Sequence, residues 1–471
     1  MRPNELDPTA FAQRIPNDFT VGVATSAFQI EGAVREGGRG ASTWDTFMAQ
    51  PGRILDGSSA AVADDHVHLY RDDVALMKNL GIDAYRFSLS WPRIQPGGKG
   101  GESREGIAFY DRLLDELLAA GIRPMVTLYH WDTPEELQTA GGWLSRDTAK
   151  RLGDFATLAG EAFGDRVDNW VTINEPATVT LNGYALGLHA PGHEMLFDAL
   201  PAAHNQLLGH GYSVQALRAA GVRGGIGITN VHSPVVPARD RVTDRYFAKL
   251  FDTIHNRIFA DPVLLGHYPK PPFASGRLFR ALTEVDDADL AIIHQPLDFY
   301  GLNYYMPTRI KAGSSKGGET PDGDAEAMKG VPFSLVSFPE HEETGFGWPV
   351  APEYFGVALA EVAERYGQAL PPVYITESGA SFPDVRDSDG RVHDPQRIRY
   401  LADHLAAALH GAPGIDVRGY FVWSLLDNWE WAAGFSQRFG LVHVDFDSLE
   451  RTPKDSYRWL REVLASRERV R

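Results

Sequence analysis

The chain has 471 residues, of which 43% are hydrophobic and 23% charged, with a net charge of −17 and no cysteine. The missing cysteines exclude disulfides, thiolate catalysis and cysteine-ligated zinc or iron–sulfur sites, and the acidic balance disfavours nucleic acid or an anionic membrane surface as a partner. No stretch approaches the roughly 20 apolar residues of a membrane span, and the polar segment Met1–Asn17 lacks the apolar region of a signal peptide, so a cytoplasmic protein is expected.

Short β-rich apolar runs alternate with longer amphipathic stretches. A first strand is expected over Thr20–Ala24, a long loop over Gln29–Asp65, a helix over Asp65–Leu80 and a strand over Ala84–Ser88. In Ile107–Ala120, the residues Tyr110, Leu113, Leu114, Leu117 and Leu118 share one helix face, and Gly121 follows where a helix end favours glycine. Strand Pro124–Leu128, helix Asp147–Phe163, strand Trp170–Asn174, a loop over Ala177–Ala202, helix His204–Ala220 and strand Gly225–Thr229 continue the pattern. After a loop over Ser233–Ile254 come strand Phe299–Leu302 and a loop over Pro307–Pro349. Residues 311–330 of that loop are rich in Gly, Ser, Lys and Asp and read as a mobile surface segment. Helix Pro352–Tyr366, strand Val373–Thr376, helix Pro395–Leu409, strand Gly419–Trp423 and helix Asp455–Leu464 complete the chain.

Strands alternating with helices imply right-handed βαβ units and a parallel sheet. Eight such units point to an α/β fold, a single (β/α)8 TIM barrel over residues 1–471, whose excess over a minimal barrel of roughly 250 residues sits in long βα loops. Active sites of such barrels lie at the C-terminal strand ends. Those positions hold Gln29, Arg86, His130 and Trp131, Asn174 and Glu175, Asn303 and Tyr305, Glu377, Trp423, and Glu430 with Trp431. Hydroxyl-matching groups mixed with tryptophans suit a monosaccharide, whose C–H faces stack on aromatic rings while its rim needs directional donors and acceptors. A phosphate pocket would want a glycine-rich turn or a basic cluster, and the strand ends supply one arginine.

Glu175 and Glu377 each close a buried-strand run, and a paired acid and base is what glycosidic cleavage requires. Other readings stand beside this one. A lone strand-end glutamate often serves a salt bridge, Arg86 could bridge strands, Trp423 lies in a run apolar enough for core, and Asn303 and Tyr305 fit either direct sugar contact or support behind it. His66 and His68, two residues apart on a helix, face different ways and read as structural. Gly313–Gly317 matches the serine-hydrolase elbow in letters, but no helical period follows it.

With these residues in place, the chain resembles glycoside hydrolase family 1, the β-glucosidase family of retaining exo-enzymes. The matching segments run in the family's order: Phe19–Ala33, Arg39–Phe47, Asp65–Ile94, Thr127–Leu137, Asn169–Pro176, His189–Gly192, Asp298–Tyr305, Tyr374–Ala380, Trp423–Asp445 and Arg451–Asp455. The resemblance implies that Glu175, in the Asn-Glu-Pro motif, is the general acid/base, and that Glu377, in the motif usually written Thr-Glu-Asn-Gly, is the nucleophile. Gln29, His130, Trp131, Asn174, Glu430 and Trp431 would hold the nonreducing-end sugar, with Trp423 as the platform beneath it. Asn303, Tyr305 and Arg86 would surround and orient the nucleophile, and Trp348 would line the leaving-group side. Ser378 departs from the family, which usually has Asn there.

The implied activity is retaining hydrolysis of terminal β-D-glucosyl residues, with galactosyl or fucosyl residues also compatible, from a small β-glucoside or cello-oligosaccharide, with no cofactor and no metal. Rival readings are a transglycosylase, a 6-phospho-β-glycosidase and a noncatalytic sugar-binding barrel. The intact Glu430-Trp431 pair speaks against a phosphorylated sugar, and the presence of both carboxylates speaks against a binding protein.

Overall fold

The β-rich runs are nearly continuous in apolar residues because both faces of each strand are covered, as parallel barrel strands require. Every residue of Thr20–Ala24 and of Ala84–Ser88 is buried. The computed structural model describes residues 6–272, 275–317 and 324–467. Its eight barrel strands are Thr20–Ala24, Ala84–Ser88, Arg123–Tyr129, Asn169–Asn174, Gly225–Val231, Tyr300–Asn303, Val373–Ser378 and Val417–Trp423. They are called first to eighth below. Each pairs in parallel with its neighbours in chain order, and the first strand pairs with the eighth to close the barrel. The expected (β/α)8 barrel is the observed one.

Alternating strand residues divide into two sets. One set, with Val23, Phe87, Val126 and Val422, packs against helix residues such as Leu113, Phe155 and Leu359. The other, with Ala24, Met125, Val171 and Trp423, joins across the barrel. The helices start and stop where local chemistry requires. Ser103 accepts from Gly106 N at the start of helix Arg104–Ala119, a cap worth about 1 kcal/mol. Gly81 closes helix His66–Leu80 at φ +82°, a conformation that costs glycine little.

The sixth and seventh strands shift or run on toward their polar ends relative to the apolar stretches that predict them. The sixth ends at Asn303 and the seventh at Ser378, past the expected Leu302 and Thr376, since ladder hydrogen bonds persist past the last apolar side chain, whereas the fourth ends at Asn174 as expected and starts one residue earlier, at Asn169. Sequence patterning also misses several elements. The segment Ser233–Ile254 is not all loop, for it holds strand Val235–Pro237 and helix Val242–Asp252. Val235–Pro237 joins Thr308–Ala312 and Phe333–Leu335 in a three-stranded sheet, and Val442–Val444 pairs with Arg451–Pro453. Strands of three residues are too short to display a period of two. Residues 318–323 of the expected surface segment lie outside the described residues. Among the described residues no helix is long and apolar enough to cross a membrane.

Candidate active site

The two carboxylates stand where the strand register breaks. The seventh strand shifts register between Ile375 and Glu377 against the sixth, and between Ile375 and Ser378 against the eighth. The fourth shifts between Val171 and Asn174 against the fifth. Such irregularities re-aim side chains and concentrate beside active sites. Directly after the break, Glu175 takes φ +47°, and Trp131 and Trp431 take φ +77° and +51°. Left-handed backbone at bulky residues costs of order 1–3 kcal/mol each and persists only where the surroundings over-determine it. Gly379 is needed for a different reason: a Cβ there would lie 1.7 Å from the Trp423 carbonyl oxygen.

A cavity of about 530 Å³ opens at this end of the barrel. Glu175, Glu377, His130, Trp131, Tyr305, Trp348, Trp423, Glu430 and Trp431 all line it. Gln29, Arg86, Asn174 and Asn303 do not line it; they lie behind it, fully or almost fully buried, and act on residues that do.

Glu377 is surrounded by groups that can only donate, or do so by preference. Arg86 Nη1 donates to its Oε1 in a buried ion pair, and Tyr305 Oη donates to its Oε2 at 2.7 Å. Burial, and then the neighbouring Glu377 charge, push the Tyr305 phenol well above its usual range, so it stays a donor. Glu175 accepts from Asn303 Nδ2 at 2.6 Å on Oε1 and from Thr178 Oγ1 at 2.7 Å on Oε2. Burial and the Glu377 charge raise Glu175 to about 7, against the opposing pull of those two hydrogen bonds.

Asn174 ties the two groups together. Its Oδ1 accepts from Arg86 Nη2 at 2.6 Å and from Asn303 Nδ2 at 3.2 Å, while its Nδ2 donates to His130 Nε2 at 3.1 Å. Its carbonyl accepts from the Trp131 indole at 2.8 Å. Burial, and then the Arg86 charge, hold His130 neutral, well below its ordinary value. The Nε2 that accepts from Asn174 leaves the proton on Nδ1, a buried atom with no hydrogen-bond partner.

On the far wall, Gln29 Nε2 donates to Asn428 Oδ1, the Trp429 carbonyl and Glu430 Oε2, while its Oε1 accepts from Ser26. Burial, and then Glu377, raise Glu430 to about 8, with Gln29 and the Trp423 indole pulling it down. Trp131 and Trp431 lie with ring centroids 4.5 Å apart, and His130 stacks on both Trp423 and Trp431. Trp348 stacks on Phe346 at 4.6 Å and meets Tyr305 edge-on at 5.7 Å. Trp429 is fully buried and donates to Ser58, which makes it packing.

The sequence reading missed three parts of this arrangement. Thr178 reaches back one turn to Glu175. Thr376 Oγ1 donates to Asn303 Oδ1 at 2.7 Å and so orients its amide. The outer part of the cavity is an apolar wall that includes Leu181, Leu186, Phe197, Val231 and Met306. A threonine three residues after an acid in a tight turn was the one readable signal; the wall comes from four separate segments. Ser378 is buried on the side away from the cavity, 3.4 Å from the Tyr400 hydroxyl.

The profile of Glycosyl hydrolase family 1 matches residues 11–469. The chain is 42% identical to Beta-glucosidase A of Acetivibrio thermocellus over 95% of its own length and 98% of that protein's. It is 41% identical to a Bifunctional beta-D-glucosidase/beta-D-fucosidase of Bifidobacterium breve, covering 96% and 98% of the two chains. The structure superposes on that of the psychrophilic beta-glucosidase BglU from Micrococcus antarcticus with a TM-score of 0.90 at 41% identity, covering 98% and 99% of the two chains. It superposes on a beta-glucosidase from Thermotoga maritima in complex with deoxynojirimycin with a TM-score of 0.87 at 38% identity, covering 96% and 98%. The chain therefore belongs to glycosyl hydrolase family 1, a family of retaining glycosidases.

Proposed function

We propose that the β-glucosidase reaction of this chain is a double displacement between Glu377 and Glu175, in one catalytic domain that spans the chain. The observation that carries the assignment is the contrast in their surroundings: Glu377 is clasped by Arg86 and Tyr305, whereas Glu175 is raised to about 7 and can hold a proton at neutral pH. Glu377 attacks the anomeric carbon, the glycosidic C–O bond breaks, and Glu175 gives its proton to the departing oxygen. The resulting ester carries no charge, so of the two causes that raise Glu175, burial stays and the repulsion from Glu377 disappears. Glu175 then takes a proton from water, whose oxygen attacks the anomeric carbon and releases Glu377. Two inversions return the starting configuration.

Trp423 underlies the nonreducing-end glucosyl ring, His130, Trp131, Glu430 and Trp431 meet its hydroxyls, and Gln29 and Asn174 hold those groups in place. The relative from Bifidobacterium supports acceptance of β-D-fucosides as well. The apolar part of the cavity lining, with Leu181, Leu186, Phe197, Val231 and Met306, suits small aryl or alkyl aglycones, while Asn182, Ser233 and His255 of the same lining offer partners to a sugar's hydroxyls.

A panel of aryl β-glycosides (gluco, galacto, fuco, manno, xylo and 6-phosphogluco), with product stereochemistry followed by NMR, tests this. We expect the glucoside to be turned over with the β-anomer of glucose appearing first. Initial release of the α-anomer, or turnover restricted to the phosphorylated glucoside, would overturn the assignment.

A further inference from the structure

Arg86 has only donors, so the Asn174 amide atom facing it must be the oxygen. Asn303 touches that same oxygen, so it must present its NH2 group there; Thr376, donating to the other end of the amide, fits the same orientation. That NH2 group also meets Glu175 Oε1 at 2.6 Å, which must therefore accept. An acceptor-only position cannot point a proton at its donor. A chain of fixed groups that begins at the nucleophile's own arginine thus decides which oxygen of the other carboxylate stays bare.

We propose that Thr178 is a positioning residue for the acid/base: the transferable proton of Glu175 rides on Oε2, and the Thr178 hydroxyl, 2.7 Å from it, turns from acceptor to donor as that proton leaves. A hydroxyl can play both parts because its proton rotates about the C–O bond. Before cleavage, Thr178 can accept from Oε2–H and hold it against the cavity wall that Thr178 itself lines. After the proton passes to the leaving oxygen, the Thr178 proton swings toward Oε2 and steadies the carboxylate for its turn as base. Asn303 cannot make this switch, and no donor-only side chain at position 178 could.

The inference rests on the assignment of Glu175 as acid/base, so the test separates the two. The pH dependence of kcat/KM on 4-nitrophenyl β-glucoside is measured for the parent chain, Thr178→Val, Thr178→Ser and Glu175→Gln. Removing a hydrogen bond to the charged form should move the alkaline limb of Thr178→Val upward by about one pH unit, and Thr178→Ser should return it to the parent position. Thr178→Ala repeats the measurement with a smaller side chain, should the valine disturb the turn. A Thr178→Val limb that coincides with the parent's, while Glu175→Gln has lost the limb, overturns the role of Thr178 and leaves that of Glu175 standing. A Glu175→Gln profile that keeps the parent's limb overturns both.

Discussion

The end of the seventh strand and the end of the fourth each present one glutamate to the same cavity, and they differ in what a proton would meet there. Around Glu377, a guanidinium that can only donate holds one oxygen and a phenol donates to the other. Around Glu175 one oxygen meets an amide NH2 and the other a hydroxyl that can reverse, with no cation in contact. Two chemically identical side chains acquire different surroundings from a handful of neighbours. Burial and the Glu377 charge raise Glu175, while the Arg86 cation sits against Glu377.

The comparison breaks most completely when one partner is removed. Glu377→Ala should lower kcat by about four orders of magnitude or more, and added azide should restore part of it with the α-glucosyl azide as product. Parent-level turnover in that variant would end the scheme. Next in size, Arg86→Met takes the cation from Glu377 and leaves a buried carboxylate without its counter-charge. Breaking a buried pair in this way costs about 3–5 kcal/mol, read as a lower denaturant midpoint at neutral pH together with a loss of kcat. A midpoint and kcat equal to the parent's would show that Arg86 merely ties strands together.

The smallest effect sharpens the other side. Glu175 stands at about 7 in the folded chain against an ordinary value of 4.5. Between those values the folded state keeps a proton that the unfolded chain has released, so stability falls as pH rises from 4.5 to 7 and then levels off. The gap corresponds to about 3 kcal/mol. Glu175→Gln, which cannot ionise, should gain on the parent across that window and hold a constant lead above it. Thermal midpoints measured from pH 4.5 to 8 will show the lead grow, or show none, in which case Glu175 is not raised.

Much of this was readable in the chain before any coordinates. Thr20–Ala24, Ala84–Ser88 and helix Pro352–Tyr366 occur at the residues expected, because a run of apolar residues or a 3.6-residue period is a local property. The strand-end residues were also legible, since a parallel barrel turns that position into an address. Thr178 and Thr376 were not, because nothing in a threonine's own neighbourhood announces which distant amide or carboxyl it will meet. Nor was the apolar wall, whose members Leu181, Phe197, Val231 and Met306 look like ordinary core within their own segments. The depth at which Gln29, Asn174 and Asn303 are buried, and the partners they meet there, are likewise encoded by no linear pattern.

By itself, then, the sequence determined the order of eight βα units and the chemical groups at their C-terminal ends, including two carboxylates among sugar-matching side chains. Only the tertiary structure decided how those carboxylates differ. Arg86 comes from the second strand, Asn174 from the fourth, Asn303 from the sixth and Thr376 from the seventh, and the proton on Glu175 is placed by the way their donors and acceptors interlock. Periodicity acts between neighbours along the chain. A hydrogen bond's direction is settled between partners that the chain brings together only when the barrel closes.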